Sequence, residues 1–279
     1  MRVAIAYSLQ DKAGTGAASH LKGILAPRES TCPRAVECLE GEGFKLAGFR
    51  EDVLYFDWLD ETPDPEADAV IVLSRHRAES GKPSLTVHHT GNPTRDNSHG
   101  GDPSTLAYSA PALSKLLLTL YRSVAEETGL MGEYEVTLEA THHGPTRPRK
   151  PIVFIEIGSG PEQWVDERVH RALAETVARA LDTIHGGLPE CTPAAGFGGT
   201  HYPIKFTRLH LDGEYCMGHI IPKYAFAAGV SDDVIVQAVE KTWPEPVSTA
   251  LVEKKSLKSA DRRRVVALLE SIGVNVVRV

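Results

Sequence analysis

Residues 151–158 read PIVFIEIG, an apolar, β-branched run opened by proline and closed by glycine. Runs of this length flanked by turn residues suit strands buried on both faces. Similar runs recur as RVAIAY (2–7), AVIVLS (69–74), LTVHHT (85–90), YEVTLEA (134–140), STALVE (248–253) and VNVVRV (274–279). Helical patterns fall between them. Over 109–128, Leu113, Leu116, Leu117, Leu120 and Val124 form one stripe, with Pro111 in the first turn and Gly129 past the end. Over 161–184, which also begins with proline, Trp164, Val165, Val169, Leu173, Val177 and Leu181 recur at threes and fours. A last helix is predicted over 261–272, capped by Ser259 and stopped by Gly273. The alternation predicts an α/β three-layer sandwich, with helices on both faces of a mixed, mostly parallel central sheet. One domain over 1–279, with small insertions allowed, accounts for the whole length.

Composition narrows the function. The chain has 279 residues, 42% of them hydrophobic and 24% charged, which is the make-up of an ordinary globular protein. A formal charge of −7 argues against a protein that coats nucleic acid indiscriminately, though not against local basic patches. Two such patches stand out, RPRK at 147–150 and the stretch from Lys254 to Arg264. The acidic stretch DWLDETPDPEAD (57–68) reads as a surface loop. The amino-terminal apolar run is too short for a secretory signal, and no run reaches the length of a membrane span. A soluble, cytoplasmic protein is expected. Cys32, Cys38, Cys191 and Cys216 form no CxxC pair and no compact framework, so free thiols are expected.

Polar, histidine-bearing peptides follow the strand candidates: SRH (74–76), HHTGN (88–92), EATHHGP (139–145) and EIGSG (156–160). In α/β sheets ligands bind where strands end. Adjacent histidines cannot both face one cavity from a regular strand, but His142 and His143 stand at a frayed end before the Gly144-Pro145 turn. Imidazole and carboxylate together permit two chemistries. They can ligate zinc, which activates water when one position stays open, or a His–Glu couple can serve as general base. HTGN (89–92) and SHGGDPS (98–104) offer backbone N–H groups to a phosphate or an oxyanion. FGGTHYPIKFT (197–207) joins His201 to Lys205, and GHIIPKYA (218–225) joins His219 to Lys223 and Tyr224. A lysine and an aromatic suit a phosphate and a stacked base. The absence of GxGxxG after the first strand and of GxxxxGK[ST] argues against a dinucleotide oxidoreductase and a P-loop NTPase.

Taken together, SRH, HHTGN, EATHHGP, IEIGS, GGTHYPIK and GHIIPKYA resemble the archaeal and plant type of D-aminoacyl-tRNA deacylase, from Ser74 to Tyr224. Two departures are visible. His89 occupies a variable place in the family's T-x-H-x-T-G-N pattern, and Thr200 stands where a third glycine usually precedes the later histidine. The resemblance implies hydrolysis of the ester between a D-amino acid and tRNA, association with zinc, and a fold similar to those of peptidyl-tRNA hydrolases and nucleoside phosphorylases. On this reading His88, His142 and His201 hold a metal. Glu139 and His143 orient and deprotonate water, and Thr90 stabilises the oxyanion. His76, Asn92, Lys205, His219, Lys223 and Tyr224 meet the substrate, D-aminoacyl-tRNA; no membrane and no stable protein partner are implied. Two other readings stay open, a zinc-dependent exopeptidase or amidohydrolase acting on small peptides and a non-catalytic tRNA- or nucleotide-binding module.

Overall fold

The first strand, β1 (Val3–Ser8), is buried along its whole length and leads into α1 (Lys12–Leu25), whose first turn is capped by the Asp11 carboxylate accepting from the Ala13 and Gly14 amides. These elements belong to a computed structural model that describes residues 1–79 and 81–279. Next come β2 (Arg28–Glu29), β3 (Glu37–Gly41), β4 (Phe44–Phe49), β5 (Ala69–Arg75) and β6 (Ser84–His88). The short pair β7 (Gly91–Asn92) and β8 (Thr105–Leu106) precedes α2 (Pro111–Glu127), β9 (Glu135–Leu138), β10 (Ile152–Gly158) and α3 (Glu167–His185). The chain ends through β11 (Thr192–Phe197), α4 (Ile204–Leu211), β12 (Tyr215–Ile221), α5 (Lys223–Ala228), α6 (Asp232–Glu240), β13 (Thr249–Val252), α7 (Ser259–Ser271) and β14 (Asn275–Arg278).

Eight strands form the main sheet in the order β2-β3-β4-β1-β5-β10-β6-β9. Pairing is parallel across β4-β1-β5-β10 and between β6 and β9, and antiparallel between β10 and β6 and along the β2-β3-β4 edge. The expected mixed α/β sheet is present. Its helices lie differently from the expectation: α1, α2 and α3 bury their apolar stripes on one face. The other face is closed by Phe49, Val53, Phe56, Leu59 and Ala67, with no α-helix in that cluster. Strands β13 and β14 were expected in the central sheet. They belong instead to a second, wholly parallel sheet, β12-β11-β13-β14, with its own apolar cluster involving α5, α6 and α7. Ala194, Met217, Ile220 and Leu251 of this second sheet also join the main core, so the two sheets share packing. Among the described residues, no helix is long and apolar enough to cross a membrane.

Several local expectations are corrected. The third helix starts at Glu167 rather than near Pro161: Gln163–Val165 form a 3-10 turn, and Asp166 caps the helix through the Arg168 amide. In α7 the cap position is Lys258, with Ser259 already helical. The 57–68 stretch is no free acidic loop. Asp57 and Asp60 accept from the backbone amides of Thr146, Arg147, Arg149 and Lys150, and the Asp60 and Asp64 carbonyls accept from Lys150 Nζ. The RPRK patch is therefore largely used internally, with Arg147 bidentate to Asp102.

The cysteines are paired, Cys32 with Cys38 and Cys191 with Cys216, at Cα separations of 5.6 and 5.7 Å. Spacing could not show this, because strand pairing creates the proximity: Cys216 lies opposite Pro193 across β11 and β12. Closing a loop 25 residues in sequence separation stabilises by about 3.5 kcal/mol in the chain-entropy treatment. Replacing Cys191 and Cys216 by alanine is thus expected to lower unfolding free energy by about that amount. Urea titration checks it; an unchanged midpoint contradicts the pairing.

Candidate active site

Alternation along the strands decides which side chains meet. On β10, Val153, Ile155 and Ile157 face the helical core, whereas Ile152 and Phe154, and Glu156 with them, face the opposite side. The register puts Glu156 opposite Ser74 of β5 and Thr86 of β6. Two residues further along each chain, on the same face, come His76 and His88. Because β6 runs against β5 and β10, these two imidazoles approach Glu156 from opposite directions. Strand β9, parallel to β6 with Leu138 against Val87, then contributes Glu139. The site lies on a sheet face and not only at carboxyl ends, because the sheet is mixed there.

The turn after β9 is tied on both sides. Ala140 N–H donates to the His201 carbonyl and Thr141 N–H to the Ile220 carbonyl, at 2.8 and 2.9 Å. Gly91 N–H donates to the His143 carbonyl at 2.7 Å. His143 has φ of +45°, a left-handed conformation a non-glycine residue adopts only when its surroundings enforce it. That conformation answers the question posed by two adjacent histidines: both rings join one cluster, with centroids 4.4 Å apart and His88 at 4.4 and 4.9 Å. Gly100 and Gly101, at φ of +78° and +73°, pack against Gly144, where a Cβ would lie 2.5 Å from Gly101 N. This glycine loop closes on the histidine turn and is not an open anion cradle.

Glu139 is the centre. Its Oε2 lies 2.8 Å from His201 Nε2, 3.1 Å from His76 Nδ1 and 3.5 Å from His142 Nε2. Glu156 Oε2 lies 3.5 Å from both His76 Nδ1 and His88 Nε2. Outer partners fix several rings: His142 Nδ1 meets the Ala140 carbonyl at 2.8 Å, His143 Nδ1 the Gly144 carbonyl at 2.6 Å, and His76 Nε2 the Tyr202 hydroxyl at 2.7 Å. A ring whose Nδ1–H donates to a carbonyl presents Nε2 as the acceptor.

Electrostatics sort these groups. Burial raises the Glu139 carboxyl, but the imidazoles of His201, His76, His88 and His142 outweigh it and hold Glu139 well below the usual carboxylate range. Glu156 is held at about 2: burial raises it, and His88 and His76 more than reverse that. His76 and His88 are pushed up, since the two carboxylates overcome the desolvation that would lower them. His142 is pushed well down and His143 down to about 4, in both cases chiefly by burial, so both are neutral near pH 7.

Four donors, from His76, Glu139, His142 and His201, lie within 4.8 Å of one another, and two further sets, His88/His142/His143 and His88/Glu139/Glu156, overlap them. His88 Nε2 and both Glu139 oxygens are buried without a hydrogen bond of good geometry. Buried polar atoms in that condition call for a partner, and imidazoles with a carboxylate match the donor types zinc takes. The residues fit a divalent metal. His76 and Glu139 join the expected His142 and His201 in one set, while His88 shares a second set with His142 and His143 and a third with Glu139 and Glu156.

The remaining expected residues divide. Thr90 is wholly buried, with its hydroxyl donating to the Pro145 carbonyl at 2.7 Å, so it braces the turn and is not an oxyanion donor. His219 is also wholly buried, between Thr141 Oγ1 at 3.1 Å and the Ala107 carbonyl at 2.9 Å, which keeps it from substrate. Asn92 lines the cleft, but its amide nitrogen clamps the Gly100 and Asp102 carbonyls. Tyr224 lines the cleft, with its hydroxyl 3.4 Å from His201 Nδ1. Lys205 and Lys223 are exposed and do not line it.

Above the cluster opens a cleft of about 1480 Å³, reached by His76, His142, His143 and Glu156 and rimmed by Lys12 and Arg77. The sequence model of D-aminoacyl-tRNA deacylase matches residues 63–277. A D-aminoacyl-tRNA deacylase of Aeropyrum pernix is 53% identical over 276 residues, covering 99% of each chain. The chain belongs to the D-aminoacyl-tRNA deacylase family. Its homologue in Hyperthermus butylicus, under the same name, is 46% identical over 90% of this chain and 92% of its own. A crystal structure of AF0625, described as a conserved protein of unknown function, superposes with a TM-score of 0.89 at 29% identity, covering 99% of this chain and 95% of that one.

In this family member Glu156, which the sequence shows only as the first residue of EIGSG, and Tyr202, Lys12 and Arg77 join the residues expected at the site. A carboxylate inside the apolar run of β10 was the available signal for Glu156, since a charged side chain is rarely buried unless paired. Nothing in the sequence marks Lys12 or Arg77, which reach the rim only once β1 and β5 lie side by side.

Proposed function

We propose that this protein hydrolyses the ester joining a D-amino acid to the terminal ribose of tRNA, at the Glu139 cluster, with zinc as cofactor. The observation that carries the reading is the convergence of three imidazoles on one buried Glu139 oxygen, two of them, His76 and His142, lining a cleft, in a chain of this family. His76, Glu139, His142 and His201 would hold the ion. Zinc bound there supplies Lewis-acid polarisation of the ester carbonyl and a lowered pKa for water.

The chain's own groups do the rest. His143 is neutral near pH 7, its Nδ1 fixed on the Gly144 carbonyl and its Nε2 free to take a proton, which makes it the general base. His143 then returns that proton to the departing ribose oxygen, so the ribose leaves as a neutral hydroxyl and the acyl group is released as a carboxylic acid, which ionises in water. Glu156 keeps His76 and His88 oriented. Lys12 and Arg77, exposed on the rim, face an incoming phosphate backbone. An ester is an activated acyl group, so orientation and charge stabilisation suffice without a covalent nucleophile.

The test is deacylation of D-tyrosyl-tRNA beside L-tyrosyl-tRNA. Release of the D-amino acid at least about tenfold faster is expected, the equivalent of about 1.4 kcal/mol. Equal rates on both esters sink the stereospecific reading, and hydrolysis of neither sinks the activity.

A further inference from the structure

On the opposite, helical side of the main sheet, away from the Glu139 cluster, a second group of donors spans α1 and α3. His20 Nε2 lies 2.7 Å from Glu167 Oε2, and His170 Nδ1 lies 3.9 Å from Glu167 Oε1. All three contribute atoms within 4.8 Å of one another, beside a depression of about 470 Å³ bounded by Thr15, Gly16, Ser19 and Val165.

The second observation is His170 itself. It is 4% exposed, and its Nδ1 is buried with no hydrogen-bond partner. Its other nitrogen, Nε2, meets the Trp164 carbonyl at 2.9 Å. A carbonyl can only accept, so Nε2 carries the proton and Nδ1 holds a lone pair. Histidines that ligate metals show this arrangement, one nitrogen donating to a carbonyl and the other turned to the ion. Nor is that lone pair covered by the helix beneath. A Cβ at Gly16 would lie 2.2 Å from Nδ1, 2.3 Å from Cε1 and 2.6 Å from Cγ. A point that close to all three atoms is over the ring face, so Gly16 packs against the face of the ring and not along the in-plane direction of the Nδ1 lone pair.

We infer that His20, Glu167 and His170 form a second divalent-metal site, of the zinc class, that clips α1 to α3. Two imidazoles and a carboxylate are a zinc donor set with positions left for water. Ligand atoms on one tetrahedral ion lie about 3.4 Å apart, so the 3.9 Å gap closes by small rotations of Glu167, whose side chain is 78% exposed, and His20, 26% exposed. Binding exchanges the His20–Glu167 hydrogen bond for one bond from each of these groups to the ion, with His170 Nδ1 as the third ligand. The clip joins segments 147 residues apart in sequence.

The test counts zinc per chain after dialysis, on the full protein, for the wild type, His20→Ala and Glu167→Gln. Each variant is expected to lose one equivalent while hydrolysing D-tyrosyl-tRNA within about twofold of the wild type. Neither residue touches the cleft chemistry, and both are partly exposed, so both variants fold. Cobalt substituted for zinc gives a second readout: a d–d absorption component present in the wild type should vanish in both variants. Equal stoichiometry and unchanged cobalt spectra in wild type and variants overturn the site. The difference of one equivalent is read whether or not the Glu139 cluster retains metal, so failure here and failure of the zinc reading there are distinguishable.

Discussion

Glu139→Gln is expected to lower the rate of D-aminoacyl ester hydrolysis by about 10³-fold, within the range that positioned acid–base and electrostatic groups contribute, and to leave cooperative unfolding intact. The side chain is isosteric, so packing on the sheet face survives. What changes is charge and donor sense. The Oε2 position now meeting His76, His142 and His201 at 3.1, 3.5 and 2.8 Å loses its negative charge, and an amide turned that way would present an N–H where the rings now meet a carboxylate oxygen. His76 and His88, held up in pKa partly by Glu139, would titrate lower in the variant. Rates on D-tyrosyl-tRNA, with urea unfolding as the control, check this. A variant keeping more than a tenth of wild-type activity would remove Glu139 from the centre of the site.

The second large effect concerns a positioning residue. Glu156 touches His76 and His88, each at 3.5 Å, and the loss of such an outer carboxylate typically costs 10- to 100-fold in metal affinity or activity. Glu156→Gln is therefore expected to lower kcat by about 10²-fold and to shift zinc activation to higher concentration, with activity partly regained as zinc is raised. A purely structural role would lower stability and activity together without moving the zinc titration. That pattern, or full activity, contradicts the assignment.

How much of this was legible beforehand depends on what each element hides. Strands β5 and β10 are apolar apart from Ser74, Arg75 and Glu156 and read directly, as does the leucine stripe of α2. Helix α1 does not, because KAGTGAASHLKGIL is built from small residues. Their smallness is a packing requirement: a Cβ at Gly14 would lie 2.5 Å from the Leu73 carbonyl oxygen, and Ala13, Ala17 and Ala18 are wholly buried. In the second sheet, TPAAGF and YCMGHII carry proline or glycine inside strands, which weakens any period-2 reading.

At the site, residue types were readable and partners were not. His142, His143, Glu139 and His201 announce themselves at element ends, whereas their grouping depends on β6 running against β10. Thr90 and His219 stand next to site residues in the sequence and yet turn into the core, because alternation and the Gly144-Pro145 turn use their polar atoms internally. The acidic 57–68 stretch shows the same limit: its Asp57 and Asp60 carboxylates have partners 89 and 90 residues away, beyond the reach of local pattern.

The most direct measurement is hydrolysis of D-tyrosyl-tRNA by the wild-type protein before chelation, after chelation, and after zinc is restored, with metal content determined at each stage. The account predicts that activity falls at least about 10²-fold on metal removal and returns in proportion to zinc bound at the Glu139 cluster. Undiminished hydrolysis by protein shown to be metal-free would contradict it.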